Sequence, residues 1–282
     1  MTIEEALQWA RQQLAHNEDV RADVFALLSF VLDKNKTYLM TWPERVLTDE
    51  QLERFEVVVH ERGNGKPIAY ITGRKEFWSL ELETNESTLI PRGDTETLVE
   101  TALSLDLPDN ARVLDLGTGT GAIALALKSE RPNWQVCGCD KNGAAVALAV
   151  RNATRNNLDI EFFQSDWFSH VPVGKPFDLI VSNPPYIEEA DPHLRQGDVR
   201  FEPLSALVAT GDGLDDIKNI ITRSTSYLAD GGWLLLEQGW QQADSVIELL
   251  TKSGYKKVNR WQDYASVERV SGGQYVTAER DK

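Results

Sequence analysis

The chain has 282 residues, with 29 Lys plus Arg against 44 Asp plus Glu and a formal net charge of −15. That length accommodates two domains, and an apolar share of 41% supports a packed core. Such a charge repels polyanions and excludes the non-specific grip on DNA or RNA that basic surface gives, so no direct nucleic-acid partner is expected.

The start, Met1-Thr2-Ile3-Glu4-Glu5, is acidic and leads into no apolar h-region, so no secretory leader is expected. No apolar run approaches the ~20 residues that span a bilayer. A cytoplasmic monomer without membrane contact is the expectation. Ile3, Leu7, Ala10 and Leu14 fall on one helical face, as do Val20, Val24, Leu27, Leu28 and Val31. A third helix opens on the capping-box pattern Thr48-Asp49-Glu50-Gln51 and buries Leu52, Phe55 and Val59. Glycines and a proline between Glu61 and Pro67 then break it. Residues 1–75 therefore read as a small helical domain. In 76–92, Trp78, Leu80, Leu82 and Thr84 alternate with polar neighbours, as in a linking hairpin. Asp94 or Thr95 stands where it would cap a helix through Leu98, Val99 and Ala102.

From Arg112 the period alternates between strand and helix. Strands fit 113–116, 134–139, 160–164, 177–182 and 233–237, and helices fit 121–130, 142–157, 213–228 and 240–252. Two more strands fit 255–278. This alternation implies an α/β domain over 93–282 with a mainly parallel sheet covered on both faces. Cys137 and Cys139 share one strand face and suit the core; a lone Cys-x-Cys is a poor zinc site, and no metal is expected.

Asp115-Leu116-Gly117-Thr118-Gly119-Thr120-Gly121 lies where a strand hands over to a helix. Glycines tighten such a turn and bare its backbone to a ligand. The spacing Gly-x-Gly-x-Gly differs from the dinucleotide fingerprint, which aims a helix N-terminus at pyrophosphate. It suits a nucleoside cofactor without phosphate, such as S-adenosyl-L-methionine, better than NAD. The next strand ends on Asp140, placed to accept from ribose hydroxyls. The strand after it leads into Asp166 and Trp167, able to accept from an adenine amino group and to pack on its ring.

The strand 177–182 stops at Asn183-Pro184-Pro185-Tyr186. A planar NH₂ conjugated to a π system is a poor nucleophile, since delocalisation withdraws its lone pair. Two acceptors aimed at its two N–H groups hold it and favour the charge it gains on attack. Asn183 offers its side-chain oxygen and Pro184 its carbonyl. The Pro-Pro pair stiffens the carbonyl's direction, and Tyr186 can stack on the flat group. The stretch 187–212, with little periodicity, reads as a substrate-holding loop.

With these motifs the chain resembles class I S-adenosylmethionine-dependent methyltransferases, and among them the bacterial release-factor glutamine N5-methyltransferases. The carriers are Phe77-Trp78-Ser79-Leu80, Leu89-Ile90-Pro91-Arg92, Asp94-Thr95-Glu96, Asp115 to Gly121, Ser165-Asp166-Trp167-Phe168, Asn183 to Tyr186 and Arg200-Phe201-Glu202-Pro203. The resemblance implies a Rossmann-like, mainly parallel seven-stranded sheet and methylation of the glutamine in the Gly-Gly-Gln motif of peptide chain release factors. It implies cofactor binding by Gly117, Thr118, Gly119, Thr120, Gly121, Asp140, Asp166, Trp167 and Asn183, and glutamine binding by Asn183, Pro184, Pro185 and Tyr186. Catalysis falls to Asn183, Pro184 and Tyr186. Gly93 stands where the family usually has a second proline, so no role is carried over to Arg92 or Glu96. Asn-Pro-Pro-Tyr alone is shared with adenine-N6 methyltransferases, the alternative, which need a basic channel. A non-catalytic cofactor-binding scaffold is a third reading. The chain also contains Gly272-Gly273-Gln274, expected in a terminal strand where the glutamine is not free.

Overall fold

Capping boxes set two of the first helices. Thr2 Oγ1 accepts the Glu5 N–H at 3.2 Å while the Glu5 carboxylate takes the Thr2 N–H at 2.8 Å. Thr48 and Gln51 repeat the exchange. The computed structural model describes residues 1–17 and 19–277. Helices α1 (Ile3–Gln13), α2 (Val20–Leu32), α3 (Lys36–Thr41), α4 (Asp49–Gly63) and α5 (Ile68–Thr72) enclose Ile3, Leu7, Leu27, Leu28, Phe55 and Val59. With Arg195–Phe201 they form one compact unit, inside which Arg62 bridges Asp23 at 2.7 Å and Asp198 at 2.8 Å. Periodicity reveals α1, α2 and α4; α3 and α5 have six and five residues, too few to show an apolar stripe.

The second unit begins at Lys75, within a hairpin of β1 (Arg74–Phe77) and β2 (Leu80–Glu83). Its turn residues Trp78 and Ser79 have φ of +52° and +60°, the left-handed pair that a two-residue hairpin turn demands. Trp78 is held there by its N–H on Glu96 at 2.9 Å and its indole on Glu130 at 2.8 Å. Then follow α6 (Glu96–Ser104), β3 (Arg112–Leu116), α7 (Ala122–Glu130), β4 (Gln135–Asp140), α8 (Gly143–Arg155), β5 (Glu161–Gln164) and β6 (Phe177–Ser182). The short strands β7 (Ile187–Glu188) and β8 (Val208–Ala209) precede α9 (Asp215–Ser224), β9 (Leu228–Glu237), α10 (Ala243–Lys252), β10 (Lys256–Gln262) and β11 (Glu268–Gln274).

Seven strands lie in the order β10-β11-β9-β6-β3-β4-β5, and only β11 runs against its neighbours. Successive strand residues feed opposite layers: Val113 and Leu179 pack with Leu98 and Leu125, whereas Leu114 and Ile180 pack with Ile217 and Leu234. The fold is the expected Rossmann-like α/β architecture. The chain winds outward from β3 through β4 and β5, then returns to β6 on β3's other side, so a crevice opens at the carboxyl ends of β3, β4 and β6.

Two expectations change, and the one for Gly272-Gly273-Gln274 holds. Thr95 ends a 3-10 turn (Gly93–Thr95) and makes no capping bond to α6; its hydroxyl is engaged with Asn183 instead. Asp94 pairs with Arg269 at 3.2 Å. The stretch 187–212 carries 3-10 turns and the β7–β8 pair, so it is more ordered than its aperiodic sequence implies. Gly272-Gly273-Gln274 lies in β11 between β9 and β10, with Gln274 Nε2 donating to the Gly231 carbonyl at 2.8 Å, so that glutamine is tied down. No helix among the described residues is long and apolar enough to cross a membrane.

Candidate active site

At the end of β3, Asp115 turns inward and organises the glycine loop. Its Oδ2 accepts the Thr118 hydroxyl at 2.6 Å and the Ala124 N–H at 3.3 Å, while Oδ1 has no partner among the described residues. Burial pushes this carboxyl up to about 7. Gly117, Gly119 and Gly121 have φ of +71°, +56° and +85°, so the spacing of glycines reflects three left-handed positions. A Cβ on Gly121 would come within 3.2 Å of Ala149, Leu125 and Phe162. Gly121 thus lets the loop pack on α8 and stands behind the crevice wall, whereas Gly117, Thr118, Gly119 and Thr120 line it.

The loop's amides are largely spent. Gly117 and Thr118 both donate to the Cys139 carbonyl at 2.9 Å, Gly119 to Asp140 Oδ2 at 3.0 Å, and Gly121 to the Thr118 carbonyl at 2.8 Å. A pyrophosphate needs such N–H groups free, so this loop disfavours a dinucleotide. Asp140, at the end of β4, also takes the Asn142 N–H on Oδ1 at 2.8 Å and lines the crevice as an acceptor. Beyond β5, Asp166 and Trp167 line the same crevice. Trp167 has φ +48°, donates its indole N–H to Asp216 at 3.1 Å, and lies beside Gly117, where a Cβ would meet the ring at 3.4 Å. The sequence gives no local sign of Asp216, which fixes the ring from α9.

Asn183 and Pro185 line the crevice at the end of β6; Pro184 and Tyr186 stand beside it. Asn183 Nδ2 donates to Thr95 Oγ1 at 3.2 Å. Among the described residues no N–H or O–H donates to the Pro184 carbonyl. The Tyr186 carbonyl is clamped by Gln242 Nε2 at 3.0 Å, and its hydroxyl donates to Glu237 Oε1 at 3.3 Å. Burial beside Glu237 pushes the phenol far above its ordinary range, so it stays a donor. Thus the crevice brings together nearly all the residues singled out from sequence, with Gly121, Pro184 and Tyr186 supporting its wall.

Sequence reasoning left the rest of the wall unassigned. It includes Ser87, Thr88, Leu89, Pro91 and Arg92, with Ser205 and Ala206. Glu202, whose side chain is fully buried, takes the Ile90 N–H at 3.3 Å and pairs with Arg92. The Glu202-Pro203 half of the loop therefore shapes the wall through a carboxylate. In the helical unit, Arg200 donates to the Asn64 carbonyl at 2.9 Å.

The crevice holds about 910 Å³ free of protein atoms, its open mouth included. Two carboxylates for hydroxyl or amino donors, an indole face and a loop with its amides occupied form a donor set that fits an adenosine-type nucleoside.

Two family models match the chain, the PrmC N-terminal domain over residues 5–73 and the methyltransferase small domain over residues 94–198. A release factor glutamine methyltransferase of Shewanella oneidensis is 52% identical over 97% of this chain and 96% of its own. That of Escherichia coli is 49% identical over 98% and 99%. Among solved structures, a methyltransferase from Pyrococcus furiosus matches at 19% identity with a TM-score of 0.55, covering 78% of this chain and 98% of that one, a likeness of fold. At these identities over the full length, the chain belongs to the release factor glutamine methyltransferase family.

Proposed function

We propose that this chain transfers the methyl group of S-adenosyl-L-methionine to the side-chain N5 of the glutamine in the Gly-Gly-Gln motif of peptide chain release factors. The observation that carries the reading is the placement of Asn183 on the wall of the crevice that also holds Asp140 and Trp167, with the Pro184 carbonyl, unpartnered among the described residues, beside it. S-adenosyl-L-methionine, when bound, supplies an electrophilic methyl group. Asp140 accepts from the ribose hydroxyls, Asp166 from the adenine amino group, and Trp167 covers the ring, while Gly117, Thr118, Gly119 and Thr120 give the rest of the molecule a bare backbone surface.

Asn183 Oδ1 and the Pro184 carbonyl accept from the two N–H bonds of the target amide. That contact orients its nitrogen and favours the positive charge it gains; one N–H proton then leaves to solvent, so no general base is needed to start the reaction. Pro185 keeps the turn rigid, and Tyr186 forms the flat side against the amide. The helical unit, residues 1–75, holds the release factor, and 76–92 links it to the catalytic domain 93–282. The protein acts as a cytoplasmic monomer.

The test is incubation of the purified chain with methyl-labelled cofactor and either a release factor or DNA and RNA, followed by mass spectrometry. A methyl group on the Gly-Gly-Gln glutamine supports the reading. Label found only on adenine would replace it with the adenine-N6 alternative.

A further inference from the structure

Glu237 ends β9 level with the tetrapeptide. Leu236 pairs with Ser182, which sets Glu237 alongside Asn183. Glu237 is 1% exposed and accepts the Tyr186 hydroxyl at 3.3 Å, and the nearby Thr95 hydroxyl favours its ionised form. Oε2 has no partner among the described residues. Thr95, 5% exposed, faces Asn183 Nδ2 at 3.2 Å.

Counting protons gives this chain of contacts a direction. An ionised carboxylate only accepts, and a threonine hydroxyl has one proton to give. With that proton spent on Glu237, Thr95 must accept from Asn183. The Asn183 nitrogen then faces Thr95, and its oxygen faces the crevice. A proton on Glu237 allows the reverse: Glu237 donates to Thr95, Thr95 donates to Asn183 Oδ1, and the amide turns over. It would then present NH₂ to a target that is itself NH₂.

We propose that Glu237 and Thr95 are positioning residues for methyl transfer, a relay of hydrogen-bond direction that keeps Asn183 Oδ1 facing the acceptor nitrogen; this rests on the function proposed above. The charged groups around the relay decide its state. Arg269 on β11, which also pairs with Asp94 at 3.2 Å and Asp263 at 3.3 Å, favours ionised Glu237. Burial and Asp94 oppose it, and the balance leaves Glu237 pushed up to about 7. The relay therefore changes direction within a pH range that an assay can sweep.

The experiment uses full-length protein with the variants Thr95→Val, Thr95→Ser and Glu237→Gln. Turnover is read on a release factor from pH 5.5 to 8.5, and the Asn183 side-chain NH₂ signals are followed by ¹⁵N NMR without any methyl acceptor. Thr95→Val is expected to lower kcat about 10- to 100-fold, the scale of a misplaced contact group, with cofactor affinity within about twofold. Thr95→Ser, which keeps the hydroxyl, recovers most of the loss. The Asn183 signals shift with a midpoint near 7 in the unsubstituted protein and stay fixed in Glu237→Gln. Full turnover by Thr95→Val, or Asn183 signals that titrate unchanged in Glu237→Gln, would overturn the relay. If the unsubstituted protein methylates no release factor, the functional reading fails, while the NMR titration still decides the relay.

Discussion

Replacing Asn152 with alanine removes the polar hub between the β1–β2 hairpin, α8 and the glycine loop. Asn152 is fully buried. Its Nδ2 donates to the Glu83 carbonyl at 3.0 Å and the Thr120 carbonyl at 2.9 Å, and its Oδ1 accepts the Glu83 N–H at 2.6 Å. Alanine takes those partners from three backbone groups. The two on Glu83 are part-buried and cost about 1 kcal/mol each; the buried Thr120 carbonyl costs about 2 kcal/mol. The sum, about 4 kcal/mol, is a large share of the roughly 5–15 kcal/mol that holds a domain folded. For a unit of this size it lowers the melting midpoint by roughly 8–16 °C. Because Thr120 lines the crevice, cofactor affinity falls as well. Thermal melting by circular dichroism with calorimetric titration of the cofactor checks both, and a midpoint within 3 °C of the unsubstituted protein with unchanged affinity would refute the reasoning.

Asn183→Ala is expected to lower turnover by about 10²–10³-fold, the effect of losing one preorganised polar group. Stability should change by no more than about 1 kcal/mol, since the side chain's hydrogen bond is a single contact to Thr95; steady-state kinetics and melting separate the two. Asp140→Ala should weaken cofactor binding by at least about tenfold, through loss of charge-assisted hydrogen bonds, as read by calorimetry. Stability should also depend on pH through Asp115. Its carboxyl ionises near 4 in the unfolded chain and at about 7 in the folded one. The folded form therefore holds the proton more tightly, and this contribution is complete below about pH 4, declines as pH rises and is lost above about 7. Asp115→Asn should flatten that fall in melting profiles between pH 5 and 8, and an unchanged slope would count against a proton on Asp115.

Much of the catalytic unit is legible in the sequence because its signals are local. Val113 to Leu116 and Phe177 to Ser182 are short apolar runs that hand over to glycines or prolines, so both the strand and the motif at its end can be placed. The loop's preference for a nucleoside without pyrophosphate is visible in its spacing, and the structure supplies the reason in amides already bound to Cys139 and Asp140. What escaped depends on distant partners. Thr95 has the local pattern of a helix cap, yet its hydroxyl meets Asn183, 88 positions away. Glu237 closes an apolar strand, and Glu202 sits in an aperiodic loop. Nothing nearby tells that the first meets Tyr186 or that the second pins Ile90 and Arg92. Asn152 falls on the apolar face of α8, where only the packed structure shows why a polar residue belongs.

The most direct measurement is a crystal structure of the protein with S-adenosylhomocysteine and a release factor bound. The expected result places the glutamine N5 within roughly 2.7–3.2 Å of both Asn183 Oδ1 and the Pro184 carbonyl, at the end of the crevice nearest the cofactor's sulfur. A glutamine bound elsewhere, or one whose nitrogen contacts neither oxygen, would contradict it.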